Sequence, residues 1–198
     1  MDLGHTFRAL VSGVPHLLLG GRSPVRAGNE RLASVRLGVR DGLPYIPLDS
    51  VAFNQGGAIP VRYTADGEEL TPPLQWQDVP KGTRSLVLLV EDPDAPTPQP
   101  FVHWISLMSP DVRTLGFMLR PGTSTVESGR NSLLRTGWVG CAPPRGDQAH
   151  HYHFQIFALD RELRLGSHPG RSALLRRMRG HVVGFGELVG TYSREHAH

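Results

Sequence analysis

The run Ser85-Leu-Val-Leu-Leu-Val-Glu91 stands directly before Asp92-Pro-Asp-Ala-Pro96, and this junction constrains the fold more than any other stretch of the chain. A continuous apolar run of this length, rich in Val and Leu, predicts a strand buried on both faces. The two prolines that follow cannot continue a hydrogen-bonded ladder and stiffen the backbone. Downstream, Phe101-Val-His-Trp-Ile-Ser-Leu107 alternates, which places Phe101, His103, Ile105 and Leu107 on one face. Tyr152-His-Phe-Gln-Ile-Phe-Ala158 alternates as well, with Tyr152, Phe154, Ile156 and Ala158 together. One helix is predicted over Ser172–Arg179, after Pro169-Gly170 and before Gly180, with Leu174, Leu175 and Met178 as its apolar stripe. A last strand is expected around Gly186–Tyr192. The expected class is mostly β with a C-terminal helix.

Composition agrees. The chain has 198 residues, 39% of them apolar, enough for one domain with a sizeable core, and its 23 Gly and 17 Pro mark it as turn-rich. No stretch approaches the roughly 18 uninterrupted apolar residues of a membrane span. The single cysteine, Cys141, excludes an intramolecular disulfide framework and any CxxC motif. Formal net charge is +3, and every basic residue except Lys81 is Arg. No basic run is interleaved with aromatics, so a nucleic-acid partner is not expected. Near the start, the apolar run Ala9–Leu19 is broken by Gly13, Pro15 and His16, a poor match to a signal peptide. A cytoplasmic location is expected, in keeping with one free thiol. Residues 1–50, punctuated by breakers such as Ser12-Gly13, Gly20-Gly21 and Ser23-Pro24, are read as an N-terminal extension with one short helix and one short strand. Residues 51–198 form the domain proper.

Three segments concentrate chemistry-bearing side chains. Asp92 and Asp94 share a stiff turn at a strand end. His103 faces inward beside Phe101 and Ile105. Gly140-Cys-Ala-Pro-Pro-Arg-Gly146 forms a rigid loop that leads into His150-His-Tyr-His153, where strand alternation puts His150 and Tyr152 on one face and His151 and His153 on the other. Singly, each has a plain structural explanation: a capped turn, a satisfied core histidine, a stiff connection.

In order and spacing, however, Asp92-Pro-Asp-Ala-Pro96, Phe101-Val-His-Trp104, Pro143-Pro-Arg-Gly146 and His150-x-Tyr152-x-Phe154 resemble the phosphatidylethanolamine-binding proteins, specifically the bacterial branch often labelled Raf-kinase-inhibitor-like. Gly57-Ala-Ile-Pro60, Arg62-Tyr-Thr-Ala-Asp-Gly67, Pro72-Pro-Leu-Gln-Trp76, Gly180-His-Val and Gly186-Glu-Leu-Val-Gly-Thr-Tyr192 add to the likeness, which covers about residues 53–193. The resemblance implies a large antiparallel sheet packed on a smaller one in a β-sandwich with a C-terminal helix. It also implies an anion pocket at one end, formed by Asp92, Asp94, His103, His150 and Tyr152, with Gly140, Pro143 and Pro144 in the loop that walls it. Phosphate or a phosphoethanolamine-like head group is the implied ligand, with no cofactor and no metal. A regulatory role through docking to a kinase or protease and assembly as a homodimer are further implications. Imidazole and phenol groups suit such a pocket because they donate hydrogen bonds to anionic oxygens, and Asp92 would hold His103 or His150 protonated. This chain departs from the bacterial pattern at Gly140-Cys141-Ala142-Pro143-Pro144, where Gly-Pro-Cys-Pro-Pro is usual, and at His151, where Arg is typical. Residues 1–52 have no counterpart in the short members and would cover the pocket or form an interface.

Three other readings compete. Two His, two Asp and a Tyr could run acid–base chemistry on a phosphoester, but the chain has no Gly-x-Ser-x-Gly elbow, no P-loop and no placed nucleophile other than Cys141. His103, His150 and the aspartates could hold a metal ion. A dimeric scaffold would keep the fold and leave the pocket unused.

Overall fold

The computed structural model describes residues 25–39, 42–116 and 126–195; the apolar run Ala9–Leu19 and the breakers up to Pro24 lie outside these. Two antiparallel sheets form the body. The larger has five strands in the order β6 (Val126–Ser128), β4 (Phe101–Met108), β3 (Ser85–Asp92), β7 (His150–Leu159) and β8 (Val182–Tyr192). The smaller orders β1 (Leu48–Asp49), β2 (Leu74–Trp76) and β5 (Thr114–Leu115). Among the described residues no helix is long and apolar enough to cross a membrane.

The apolar run predicted to be buried on both faces is the central strand β3, and every one of its residues is buried. Leu86, Leu88 and Val90 point into the space between the sheets, against Leu74, Trp76 and Leu115. Val87 and Leu89 point the other way, toward helix α2 (Arg171–Met178), whose Leu174, Leu175 and Met178 complete a second core. Two covered faces explain why the sequence shows no polar alternation here. On β7, Tyr152, Phe154, Ile156 and Ala158 all join the inter-sheet core, as their spacing predicts.

Strand β4 corrects the sequence reading. Val90 pairs with Trp104 and Glu91 with Val102, so His103 is the extra residue of a β-bulge. The bulge breaks the alternation. Ile105 and Leu107 pack on the α2 side, while the His103 ring lies against Tyr152 on the inter-sheet side. The four residues Phe101, His103, Ile105 and Leu107 therefore do not share a face.

The described part of the extension is packed onto the domain. A short helix, α1 (Ala33–Arg36), abuts the α2 side of the large sheet, with Ala33 fully buried. Glu91 Oε2 accepts the Ala33 N–H at 2.7 Å and Gln155 Nε2 at 2.8 Å, and Gln155 Oε1 accepts the Ser34 N–H at 3.0 Å. Arg171 donates to Glu91 Oε1 and to the Arg31 carbonyl, closing the cluster. Further along, Ile46 and Leu48 are buried in the inter-sheet core, and the Ile46 N–H donates to Phe185 O at 2.8 Å. This crossing requires a glycine at 186, because a Cβ there would overlap the Ile46 carbonyl oxygen.

Candidate functional site

The end of β3 sets the site. Asp92 Oδ1 accepts the N–H groups of Asp94 at 2.8 Å and Ala95 at 3.0 Å, which folds the Pro-containing turn back on the strand end. Its second oxygen, Oδ2, is thereby aimed at the first residue of β7 and receives His150 Nδ1 at 2.8 Å. The two side chains are only 1% and 5% exposed. Asp92 is thus the partner of His150, which settles the choice that the sequence left open between two imidazoles.

His103 is held differently. Its Nδ1 donates to the Val139 carbonyl at 2.7 Å, and its ring sits between Tyr152 (centroids 5.1 Å apart, edge-on) and Trp138 (5.6 Å). With the proton held on Nδ1, Nε2 of the neutral ring is left as a hydrogen-bond acceptor toward a ligand. The Tyr152 hydroxyl is buried against the Cys141 thiol and meets no oxygen or nitrogen partner among the described residues. A buried hydroxyl without such a partner is uncommon enough to need an explanation.

Electrostatics separate the two histidines. Burial would lower the pKa of His150, but the hydrogen bond and charge of Asp92, helped by Asp147, outweigh it and hold the imidazole above its ordinary value. For His103, burial dominates and lowers the pKa despite the more distant Asp92 charge. One ring is thus biased to the charged form and the other to the neutral form. Burial pushes Cys141 well above the ordinary thiol range, which keeps it a packed thiol rather than a nucleophile. The Tyr152 phenol is likewise pushed up by burial and stays protonated.

A profile of the phosphatidylethanolamine-binding protein family matches residues 49–193. The chain belongs to this family. A UPF0098 protein of Pyrococcus abyssi is 40% identical over 152 residues, covering 74% of this chain and 84% of that relative. The crystal structure of a putative phosphatidylethanolamine-binding protein homolog, CT736 of Chlamydia trachomatis, matches with a TM-score of 0.69 at 36% identity, over 76% of this chain and 99% of that one. Escherichia coli YbcL, described as a member of the mammalian family, gives the same TM-score at 28% identity, with the same coverage of both chains.

In this phosphatidylethanolamine-binding protein family member the eight residues singled out from sequence do not all converge. Asp92 and His150 touch, and His103 and Tyr152 pack ring to ring. Asp94 turns its carboxylate away, to the backbone N–H and Nδ1 of His151, both at 2.8 Å from Oδ2. His151 is half exposed, so this pair lies at the rim. Gly140 is fixed by its N–H to Glu69 Oε1 at 2.8 Å, in a close approach to Thr64 and Ala65 that leaves no room for a Cβ. Pro143 is buried and its carbonyl faces Arg194; Pro144 is exposed and its carbonyl accepts the Asp147 N–H at 3.2 Å. His150, His151 and His153 bind Asp92, Asp94 and Glu187 respectively, three separate carboxylates rather than one centre.

Sequence reasoning missed two side chains. Arg26 Nη2 donates to Asp147 Oδ2 at 2.6 Å, and the same oxygen lies 3.3 Å from His150 Nε2. Asp147 could have been noticed three residues before His150 in the loop. Nothing in the composition of the arm marks Arg26.

Proposed function

We propose that the cluster of His150, His103 and Tyr152 binds a small phosphate-type anion, free or as a phosphoethanolamine-like head group. The observation that carries this reading is the buried Asp92–His150 pair. The carboxylate keeps the imidazole charged and fixes its orientation, so Nε2 faces the partly exposed Arg26 and Asp147 as a donor. The Tyr152 hydroxyl supplies a further donor, the Nε2 of neutral His103 is an acceptor for the proton of a P–OH group or of an ethanolamine ammonium, and the stiff Asp-Pro and Pro-Pro segments limit the ordering cost of binding. The family match is consistent with this chemistry.

Isothermal titration of the full chain with inorganic phosphate and phosphoethanolamine tests the reading. His150→Ala and His103→Ala are each expected to weaken binding by about tenfold or more, the loss of one charge-assisted or buried hydrogen bond. The circular dichroism spectrum should stay unchanged. Sulfate, whose charge is constant between pH 6 and pH 8, isolates the protein's own titration: its affinity should fall toward pH 8 as His150 loses its proton. Equal affinity in wild type and both variants would remove the pocket assignment.

A further inference from the structure

Two cationic groups from distant parts of the chain converge on one carboxylate oxygen. Arg26 Nη2 is 2.6 Å from Asp147 Oδ2, and His150 Nε2 is 3.3 Å from it. The other guanidinium nitrogen of Arg26 donates to the Asp94 carbonyl and stands 3.4 Å from His150 Nε2. Arg26 does not reach this place as a loose end. Ala27 is buried next to it, the Gly28 N–H donates to Pro93 O at 3.1 Å, and Arg31 Nη1 donates to Pro98 O at 3.0 Å. The arm is therefore pinned along the Asp-Pro turn, and Gly28, at φ 74°, makes the bend that this path needs.

We propose that Arg26 and His150 form a two-pronged clamp for an anionic oxygen, and that Asp147 is its built-in occupant, a carboxylate standing where the ligand's oxyanion binds. This rests on the pocket reading above and adds to it a ligand-binding residue from outside the family match, which begins at residue 49. The chemistry favours it. A guanidinium and an imidazolium that share one oxygen are the donors that recognise a phosphate-type oxyanion. Asp147 lies in a surface loop and is 22% exposed, so its side chain can swing to water, whereas Asp92, 5% exposed and tied into the turn, cannot. Four charges alternate along the line Arg26, Asp147, His150, Asp92. Displacing the third-party carboxylate, Asp147, leaves two cations facing one fixed anion, and an entering oxyanion restores the balance.

The two arms of the clamp make opposite predictions for its two added members. Titrated with inorganic phosphate, Arg26→Ala should bind at least tenfold more weakly than wild type, and Asp147→Asn at least threefold more tightly. The gain from Asp147→Asn should vanish in the Arg26→Ala background, a coupling that a general change in surface charge would not produce. Glu162→Gln, which removes an exposed carboxylate paired with Arg164 beyond the opposite end of β7 from His150, serves as the control for such a general change. Glycerophosphoethanolamine, run in parallel, compares a lipid head group with free phosphate; the order of the variants should be the same for both. Arg26→Ala binding as tightly as wild type, or more tightly, would mean that the arm merely covers the mouth and would overturn the clamp. So would an unchanged Asp147→Asn. If His150→Ala abolishes binding while Arg26→Ala does not, the clamp falls and the pocket reading stands. If neither wild type nor Asp147→Asn binds either compound, both fall together. Thermal melts of the Arg26→Ala and Asp147→Asn variants, which should match wild type within a few degrees, establish that these partly exposed substitutions leave the fold intact.

Discussion

Arg171→Ala is expected to destabilise the chain by about 3–5 kcal/mol, the usual cost of leaving a buried charge without its partner. Glu91 is fully buried in β3, and Arg171 is the only cation the structure pairs with it among the described residues. The other two donors to Glu91, the Ala33 N–H and the Gln155 amide, are neutral. They satisfy lone pairs without balancing charge. Denaturant unfolding would show the loss directly, and a Tm lower by roughly 10 °C should accompany it. The double variant Glu91→Gln, Arg171→Met should regain most of the stability, because it removes both charges together. A loss below about 1 kcal/mol for Arg171→Ala, the range of an exposed ion pair, would show that the cluster is not held by charge pairing.

Asp92→Asn is expected to weaken anion binding by about 10- to 100-fold at pH 7.5, and by less at pH 5.5, from the loss of a charge-assisted bond to the group that must stay protonated. The amide oxygen can still accept the Asp94 and Ala95 N–H groups, so the turn should survive. What disappears is the negative charge of Asp92 beside His150, and burial then lowers the imidazole's pKa. Stability should report the same change. In the wild type the folded His150 pKa lies above the ordinary 6.5, so its contribution is complete below that value and is lost as pH rises through the folded pKa. The stability difference between wild type and Asp92→Asn should therefore be largest near pH 6 and shrink toward pH 9. A difference independent of pH would take the Asp92–His150 pair out of the account of both binding and stability.

The parts of the fold written locally were legible. Five consecutive apolar residues, Leu86 to Val90, marked β3, period-two spacing marked β7, and a stripe at 174, 175 and 178 marked α2. The bulge at His103 was not, because it is a property of how β4 pairs with β3 and leaves a seemingly regular alternation in the sequence of β4 alone. At the site, Asp92, His150 and Tyr152 could be found because each sits at or beside a strand end in a recognisable motif. Asp94, two residues on, looked equivalent to Asp92, but the turn that aims one carboxylate inward sends the other to the rim. Arg26 is separated from Asp147 by 121 residues, and no local pattern in a turn-rich arm records where it docks.

The last two residues of β3 are both acidic and serve opposite sides of the same sheet. Glu91 anchors the N-terminal arm and α2, while Asp92, one peptide further, holds His150. Because consecutive strand residues face opposite ways, gaining or losing a single residue within β3 would exchange the two carboxylates, offering Glu to the site and Asp to the arm. The segment from Ser85 to Asp92 is therefore bound to keep its length as lineages diverge. Substitutions of one aliphatic residue for another can accumulate along it, but insertions and deletions must be absorbed in the loops beyond.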